Sequence, residues 1–106
     1  MEWYRKLYVG QTAQKKKEHL IQKIESGKTL INVYLITLPQ TAANQLEIVP
    51  AWNLRFWTRG RACPLVEGLA CGRTEALELL VQIAQEVLEE TGTANLRSYL
   101  EAKHHV

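Results

Sequence analysis

The sequence contains no aspartate, because all eleven acidic residues among its 106 are glutamate. An aspartyl-phosphate intermediate, a Walker-B aspartate on Mg²⁺ and a Ser-His-Asp triad are therefore disfavoured, unless glutamate substitutes in one of these roles. No apolar run approaches the roughly 20 residues that span a bilayer. The first residues, MEWYRK, do not resemble a secretory signal. We therefore expect a cytoplasmic protein with no membrane partner.

Cysteine is also scarce, with only Cys63 and Cys71 in the chain. On a single strand these residues would lie roughly 26 Å apart, at about 3.3 Å per residue. A disulfide requires Cα atoms within about 7 Å of each other. We expect two free thiols, which fits a reducing, cytoplasmic compartment.

The charge is small overall but unevenly distributed. Residues 1–28 hold seven Lys or Arg and three Glu, a net charge of +4. Residues 74–106 hold two Lys or Arg and six Glu, a net charge of −4. This asymmetry is typical of a partner surface or of self-association. A total of +2 and an isoelectric point near 8.6 argue against nucleic acid as a partner.

Hydrophobic periodicity predicts three strands and three helices, with one further segment open to two interpretations. The expected strands cover 3–10, 29–39 and 63–70, and the expected helices cover 12–27, 74–92 and 95–102. Gly27 and Gly92 stand where helix ends are expected. The apolar stripe predicted for the 74–92 helix consists of Leu77, Leu80, Val81, Ala84, Val87 and Leu88.

Residues 40–57 are the ambiguous segment. Asn44 followed by Glu47 is typical of a capping box and favours a short helix that Pro50 would end. The alternative is a hairpin of QLEIV and LRFW around the turn PAWN. With the helix, the element order βαβαβα(α) predicts an α/β domain over residues 1–103, with a mostly parallel three-stranded sheet and a flexible tail at 104–106. With a 45–57 hairpin, the class becomes α+β.

Three short segments repeat a similar pattern at the expected strand ends: GQTA at 10–13, PQTA at 39–42 and GRTE at 72–75. Each contains a threonine that could cap a helix. The carboxyl ends of parallel strands meet at one edge of a sheet, where helix N-termini favour anions. We expect any small anionic ligand, phosphate or nucleotide, to bind there. The predicted ligand-binding residues are Thr12, Thr41, Gly72, Arg73 and Thr74.

The stretch VEGLACGRT resembles a phosphate-binding P-loop but does not satisfy the motif. A P-loop has four residues between its glycines and then lysine. Here three residues separate Gly68 from Gly72, and Arg73 replaces the lysine. We interpret the segment as a strand-to-helix turn, not a nucleotide motif.

Cys71 carries a remote enzymatic hypothesis. It precedes an expected helix N-terminus and lies near Arg73, and both features favour a reactive thiolate. A buried, inert cysteine is the commoner alternative. His19, His104 and His105 show no spacing typical of metal ligands, so no metal or cofactor is expected.

The segment AWNLRFWTRGR interleaves aromatic residues with arginines. Trp52, Arg55, Phe56 and Trp57 are predicted to form an interface, since Trp and Arg are enriched there. The alternatives are that Trp52 and Phe56 belong to the core, or that the segment stacks on nucleic-acid bases.

The segments KLYVG, VYLITL followed by NQLEIVPA, and VEGLACGRTEALELL followed by TGTANLRSYL resemble a group of small bacterial α/β proteins with no assigned activity. This resemblance implies an α/β fold and a helix at 42–54, and it implies no mechanism. The function we expect is a non-enzymatic binding or interaction module that forms a homo-oligomer, most simply a dimer. The alternatives are an anion-binding module and, more remotely, a cysteine-dependent enzyme.

Overall fold

The computed structural model describes residues 2–28, 30–38, 46–53, 65–92 and 99. Four strands and three helices lie in these residues. They are β1 (Glu2–Val9), α1 (Gln11–Gln14), α2 (Lys17–Glu25), β2 (Val33–Leu38), β3 (Glu47–Pro50), β4 (Leu65–Cys71) and α3 (Arg73–Thr91), with a 3₁₀ turn at Ala51–Asn53.

The strands form one mixed sheet in the order β1-β4-β2-β3. β1 runs parallel to β4, whereas β2 runs antiparallel to both β4 and β3. The α/β class is confirmed, but the expected three-stranded, mostly parallel sheet is wrong. Apolar alternation has the same period of two in either strand direction, so it does not distinguish parallel from antiparallel pairing.

The predicted helix in the 40–57 segment is wrong where the structure describes that segment. Glu47–Pro50 is a strand that pairs with β2, with Ile36 opposite Ile48. Ile48 packs on the α3 face of the sheet and Val49 on the α2 face, which is the alternation of a strand with apolar contacts on both sides. The first strand of the alternative hairpin therefore exists, and its second strand, 54–57, lies outside the described residues.

The sheet is covered by helices on both faces. On one face α1 and α2 pack through Ala13, Leu20 and Ile24 against the strands. On the other face α3 packs through Ala76, Leu79 and Ile83. The strand residues of these two clusters alternate along the chain; the α2 face has Val33, Leu35, Val49, Val66 and Leu69, and the α3 face has Tyr4, Ile36, Leu65 and Ala70.

Glycine determines how close α3 approaches the sheet. A Cβ placed on Gly68 would lie 3.2 Å from carbon atoms of both Ile36 and Leu79. A larger residue would therefore push α3 away from β4. This is a packing role, and it differs from the phosphate-binding role that glycine has in a P-loop.

The C-terminal ends of α2 and α3 agree with the sequence prediction better than the arrangement of the strands does. Gly92 has a left-handed φ of 71° at the end of α3, and Gly27 has a φ of 78° after α2. Both glycines confirm the predicted stop signals. The single helix expected over 12–27 is wrong, however, because a turn at Lys15 and Lys16 divides it into α1 and α2.

The face that α3 buries differs from the predicted apolar stripe. Its fully buried residues are Ala76, Leu79, Ile83 and Val87. Of the predicted stripe, only Val87 is buried and Leu80 half-buried; Leu77, Val81, Ala84 and Leu88 are exposed. We call these four exposed residues the outer stripe. The helix has apolar residues over more than half of its circumference, so periodicity alone does not show which part faces the sheet.

Candidate functional site

The predicted anion site lies at the edge where β1 and β4 end. The two strands are parallel, and β2 begins at the same edge, with Val33 opposite Cys71. Thr12, Gly72, Arg73 and Thr74 are therefore grouped at the starts of α1 and α3. β2 ends at the opposite edge, where Leu38 pairs with Leu65, and Thr41 lies outside the described residues.

The threonines do not cap these helices as predicted. Gly10 is the N-cap of α1 and Gly72 is the N-cap of α3, so Thr12 and Thr74 lie inside their helices. Neither helix has a side-chain hydrogen bond from its cap residue. The predicted capping role is wrong because the N-cap of each helix lies two residues before the threonine.

Instead, the carboxylate of Glu75 accepts hydrogen bonds from backbone N–H groups at this edge. Glu75 lies in the first turn of α3, and its Oε1 accepts a hydrogen bond from the Thr12 N–H at 2.7 Å. Its Oε2 accepts from the Cys71 N–H at 2.6 Å. One side chain thereby joins the start of α1, the end of β4 and the start of α3.

The hydrogen bonds lower the pKa of the Glu75 carboxyl. Partial burial by itself raises this pKa, but the N–H groups of Cys71, Thr12 and Ala13 and the hydroxyl of Thr12 all stabilise the charged form, and the net pKa falls below 4.5. Glu75 is therefore an anion at neutral pH. It occupies the position at the start of α1 where the sequence predicts an anionic ligand.

Gly10 makes room for this carboxylate. A Cβ on Gly10 would lie 2.5 Å from Cδ and Oε2 of Glu75. The backbone of Gly10 has φ −64° and ψ 157°, which any residue adopts, so the requirement is one of space and not of conformation. The sequence signal was available, since Glu75 is an acid three residues after a glycine at a helix start, but its partner on α1 is 63 residues away.

The environment of Cys71 does not favour a thiolate. Partial burial raises the pKa of the thiol by more than the charge of Lys16 lowers it. The charge of Glu75 raises it as well, so the net pKa lies above its usual value of 9.0. The Cys71 side chain packs against the α2-face cluster, and Arg73 is exposed. The predicted lowering of the Cys71 pKa is therefore wrong. Cys71 is a free thiol, and Cys63 lies outside the described residues.

A second polar cluster, not predicted from the sequence, lies between β1 and α3. The hydroxyl of Tyr8 donates to Oε2 of Glu86, and that of Tyr99 lies 3.5 Å from the same oxygen. The rings of Tyr4 and Tyr8 stack with centroids 5.9 Å apart. An unbroken strand would separate residues four apart by about 13 Å, and the pairing of β1 with β4 is irregular between Trp3 and Tyr8.

Tyr4 and Tyr8 are held in their neutral form. Burial raises the pKa of Tyr4 to about 12, and the charges of Glu67 and Glu86 add to the effect. Burial and the hydrogen bond to Glu86 raise the pKa of Tyr8 further. Glu67 is fully buried on β4, where a bulge leaves it as an extra residue between the pairs Thr37–Val66 and Ile36–Gly68. Phenols held neutral serve as hydrogen-bond donors and not as bases at neutral pH.

The outer stripe is the largest apolar feature that the described helices expose. Leu77, Val81 and Leu88 are 44%, 54% and 55% exposed. With Ala84 they follow the spacing 4-3-4, which places them in one row on α3. Leu77 is nine residues from Glu86, which is half a turn around the helix at 100° per residue. The stripe therefore lies on the flank of α3 away from the tyrosine cluster.

The predicted interface segment is described only in part. Trp52 lies in the 3₁₀ turn and is 58% exposed, so it does not belong to the core. Arg55, Phe56 and Trp57 lie outside the described residues.

No family model matches the chain, and no match is found among the curated proteins or the solved structures. Among the described residues, no helix is both long and apolar enough to cross a membrane. The geometry above is therefore the only basis for a functional proposal.

Proposed function

We propose that this protein is a non-enzymatic protein-interaction module and that the outer stripe of α3 is its docking surface. The observation that carries the proposal is the row of three large apolar side chains, Leu77, Val81 and Leu88, each about half exposed. Single exposed apolar residues are common on soluble proteins. A continuous row of them is typical of a contact surface.

The neighbouring sheet surface supports the same proposal. Tyr34, Leu46 and Ile48 of the β2–β3 side are only half-buried, although they lie on the α3 face. One helix is about 10 Å wide and strands lie about 4.8 Å apart, so a single helix covers about two strands. α3 packs over β4 and β2, with β1 on the flank of Glu86. The half-buried residues of the β2–β3 side therefore lie beside α3 on the flank that carries the stripe.

Four described titratable groups, Cys71, Tyr4, Tyr8 and Glu75, support a non-enzymatic role. Burial raises the pKa of the Cys71 thiol, and the pKa of both Tyr4 and Tyr8 is raised. Glu75 is an anion whose oxygens are engaged by the backbone of its own chain. The raised pKa values of three of these groups and the engaged carboxylate of Glu75 leave each a poor acid, base or nucleophile at neutral pH.

Self-association through the stripe is one form of this function, and it is tested first. Light scattering over a concentration series tests self-association. It is measured on the wild-type protein and on the double variant Val81→Ser, Leu88→Ser. We expect any dimer to be weakened by the double variant and unaffected by Gln82→Ser, Gln85→Ser on the polar side of the same helix. A dimer of equal strength in both variants would contradict a contact through the stripe.

A further inference from the structure

We propose that the outer stripe takes a basic amphipathic helix of a partner protein. This inference rests on the proposed function and names the partner of the same surface. Leu77, Val81, Ala84 and Leu88 are spaced 4-3-4, as the apolar positions of helix-pairing heptads are. A helix with the same apolar spacing fits such a row by packing its own side chains between these residues.

The charge of α3 selects the partner. Arg73–Thr91 contains five Glu and one Arg, a net charge of −4. Glu75 and Glu86 are engaged by the backbone at the start of α1 and by Tyr8. Glu78 and Glu89 each follow a residue of the stripe and are exposed, so they border it on the solvent side. Lysine or arginine beside the apolar row of a partner would complement these two carboxylates.

The same charges disfavour a second copy of this chain. Two α3 helices packed through their stripes would place one helix of net charge −4 against another. The basic part of the chain, Gln11–Lys28 with five Lys and two Glu, has the complementary sign. However, its described residues expose no large apolar side chain, so it lacks the apolar row that such a contact requires.

Three designed peptides test the inference. All are 18-residue helices: one has leucine at the heptad core positions and lysine beside them, the second replaces lysine by glutamate, and the third keeps lysine but replaces leucine by serine. Each is labelled with fluorescein and titrated with the full-length protein while anisotropy is measured. We expect the leucine–lysine peptide to bind about tenfold more tightly than either of the others.

Two pairs of variants locate the contact. The double variant Val81→Ser, Leu88→Ser should weaken binding of the leucine–lysine peptide about tenfold. The double variant Gln82→Ser, Gln85→Ser should leave that binding unchanged. Glu78→Gln, Glu89→Gln should remove most of the preference for lysine over glutamate. Glu18→Gln, Glu47→Gln makes the same change in net charge elsewhere and should preserve that preference. Added salt should weaken the lysine peptide and not the glutamate peptide.

The possible failures are distinguishable. Equal binding of the lysine and glutamate peptides, lost in the stripe variant, would overturn the basic partner but keep the docking surface. A dimer in light scattering that depends on the stripe would overturn the basic partner, because a second copy of this chain would then occupy the stripe. If no peptide binds, and Val81→Ser, Leu88→Ser lowers the melting temperature well below that of Gln82→Ser, Gln85→Ser, another part of this chain covers the stripe. That result would overturn both proposals.

Discussion

The contact between Gly10 and Glu75 gives the sharpest prediction of this structure. Replacing Glu75 by alanine removes a charged acceptor from the N–H groups of Thr12 and Cys71. A hydrogen bond to a charged group contributes roughly 1.5–3 kcal/mol. Part of this loss is recovered because water reaches the half-buried site. We expect the free energy of unfolding to fall by about 2 kcal/mol and the melting temperature by about 8 °C.

Gly10→Ala should have a similar cost through the same contact. The new Cβ would lie 2.5 Å from the Glu75 carboxylate, so the Glu75 side chain must turn away and lose its hydrogen bonds. In the Glu75→Ala background the clash is absent, and the backbone of Gly10 suits alanine. There Gly10→Ala should be neutral or stabilising by roughly 0.4–1 kcal/mol, because alanine lowers the entropy of the unfolded chain.

Urea unfolding of the four proteins of this double-mutant cycle measures the coupling. Glu78→Ala, an exposed change on the same helix, is the control and should alter stability by less than about 0.5 kcal/mol. Additive losses from Gly10→Ala and Glu75→Ala would refute the reasoning. So would a loss for Glu78→Ala as large as that for Glu75→Ala.

The pH dependence of stability provides a second assay of Glu75. Its pKa is lowered in the folded state from the ordinary 4.5. Its contribution is therefore complete above about pH 4.5 and is lost as the pH falls through the lower folded pKa. Wild type and Glu75→Ala should converge in stability at acidic pH. A difference that stays constant from pH 7 to pH 3 would contradict the assigned hydrogen bonds.

Three further predictions follow from other residues. Gly72→Ala should cost roughly 1–3 kcal/mol in urea unfolding, because φ 88° with ψ 149° is a conformation that only glycine adopts easily; an unchanged midpoint would contradict it. Iodoacetamide should label Cys71 more slowly than a free thiol at pH 8, measured by mass spectrometry of its peptide, because its pKa is raised; faster labelling would revive the thiolate hypothesis. Tyr4→Phe should leave the rise in tyrosinate absorbance between about pH 9 and 11 unchanged, because the pKa of Tyr4 is about 12. The contribution of Tyr4 to stability is then present below pH 10.0 and lost as the pH rises through 12.

Local chemistry explains which features of the fold are predictable. A helix that ends at Gly92 and another that ends near Gly27 follow from apolar periodicity and the left-handed freedom of glycine. The strands around Val33 and Leu65 follow from runs of β-branched and apolar residues. The direction of β2 does not follow, since it depends on which edge the chain reaches after α2.

The candidate sites were predictable only where they depend on neighbours in sequence. Thr12, Arg73 and Thr74 do lie at one edge, because β1 and β4 are parallel. That Glu75 occupies this edge depends on a contact across 63 residues. The hydrogen bond of Tyr8 to Glu86 spans 78 residues and has no local signature.

The sequence by itself determined the α/β composition, the C-terminal ends of α2 and α3 and the position of the longest helix, because these depend on interactions within a few residues. Tertiary structure decided the order and direction of the strands, the partner of Glu75 and the face that α3 presents. The last of these has the clearest physical reason. α3 is apolar over more than half its circumference, and the residues that fit against Gly68 and Ile36 are Ala76, Leu79 and Ile83. Packing at that contact buries one row of apolar residues and leaves the other row, the outer stripe, exposed to solvent.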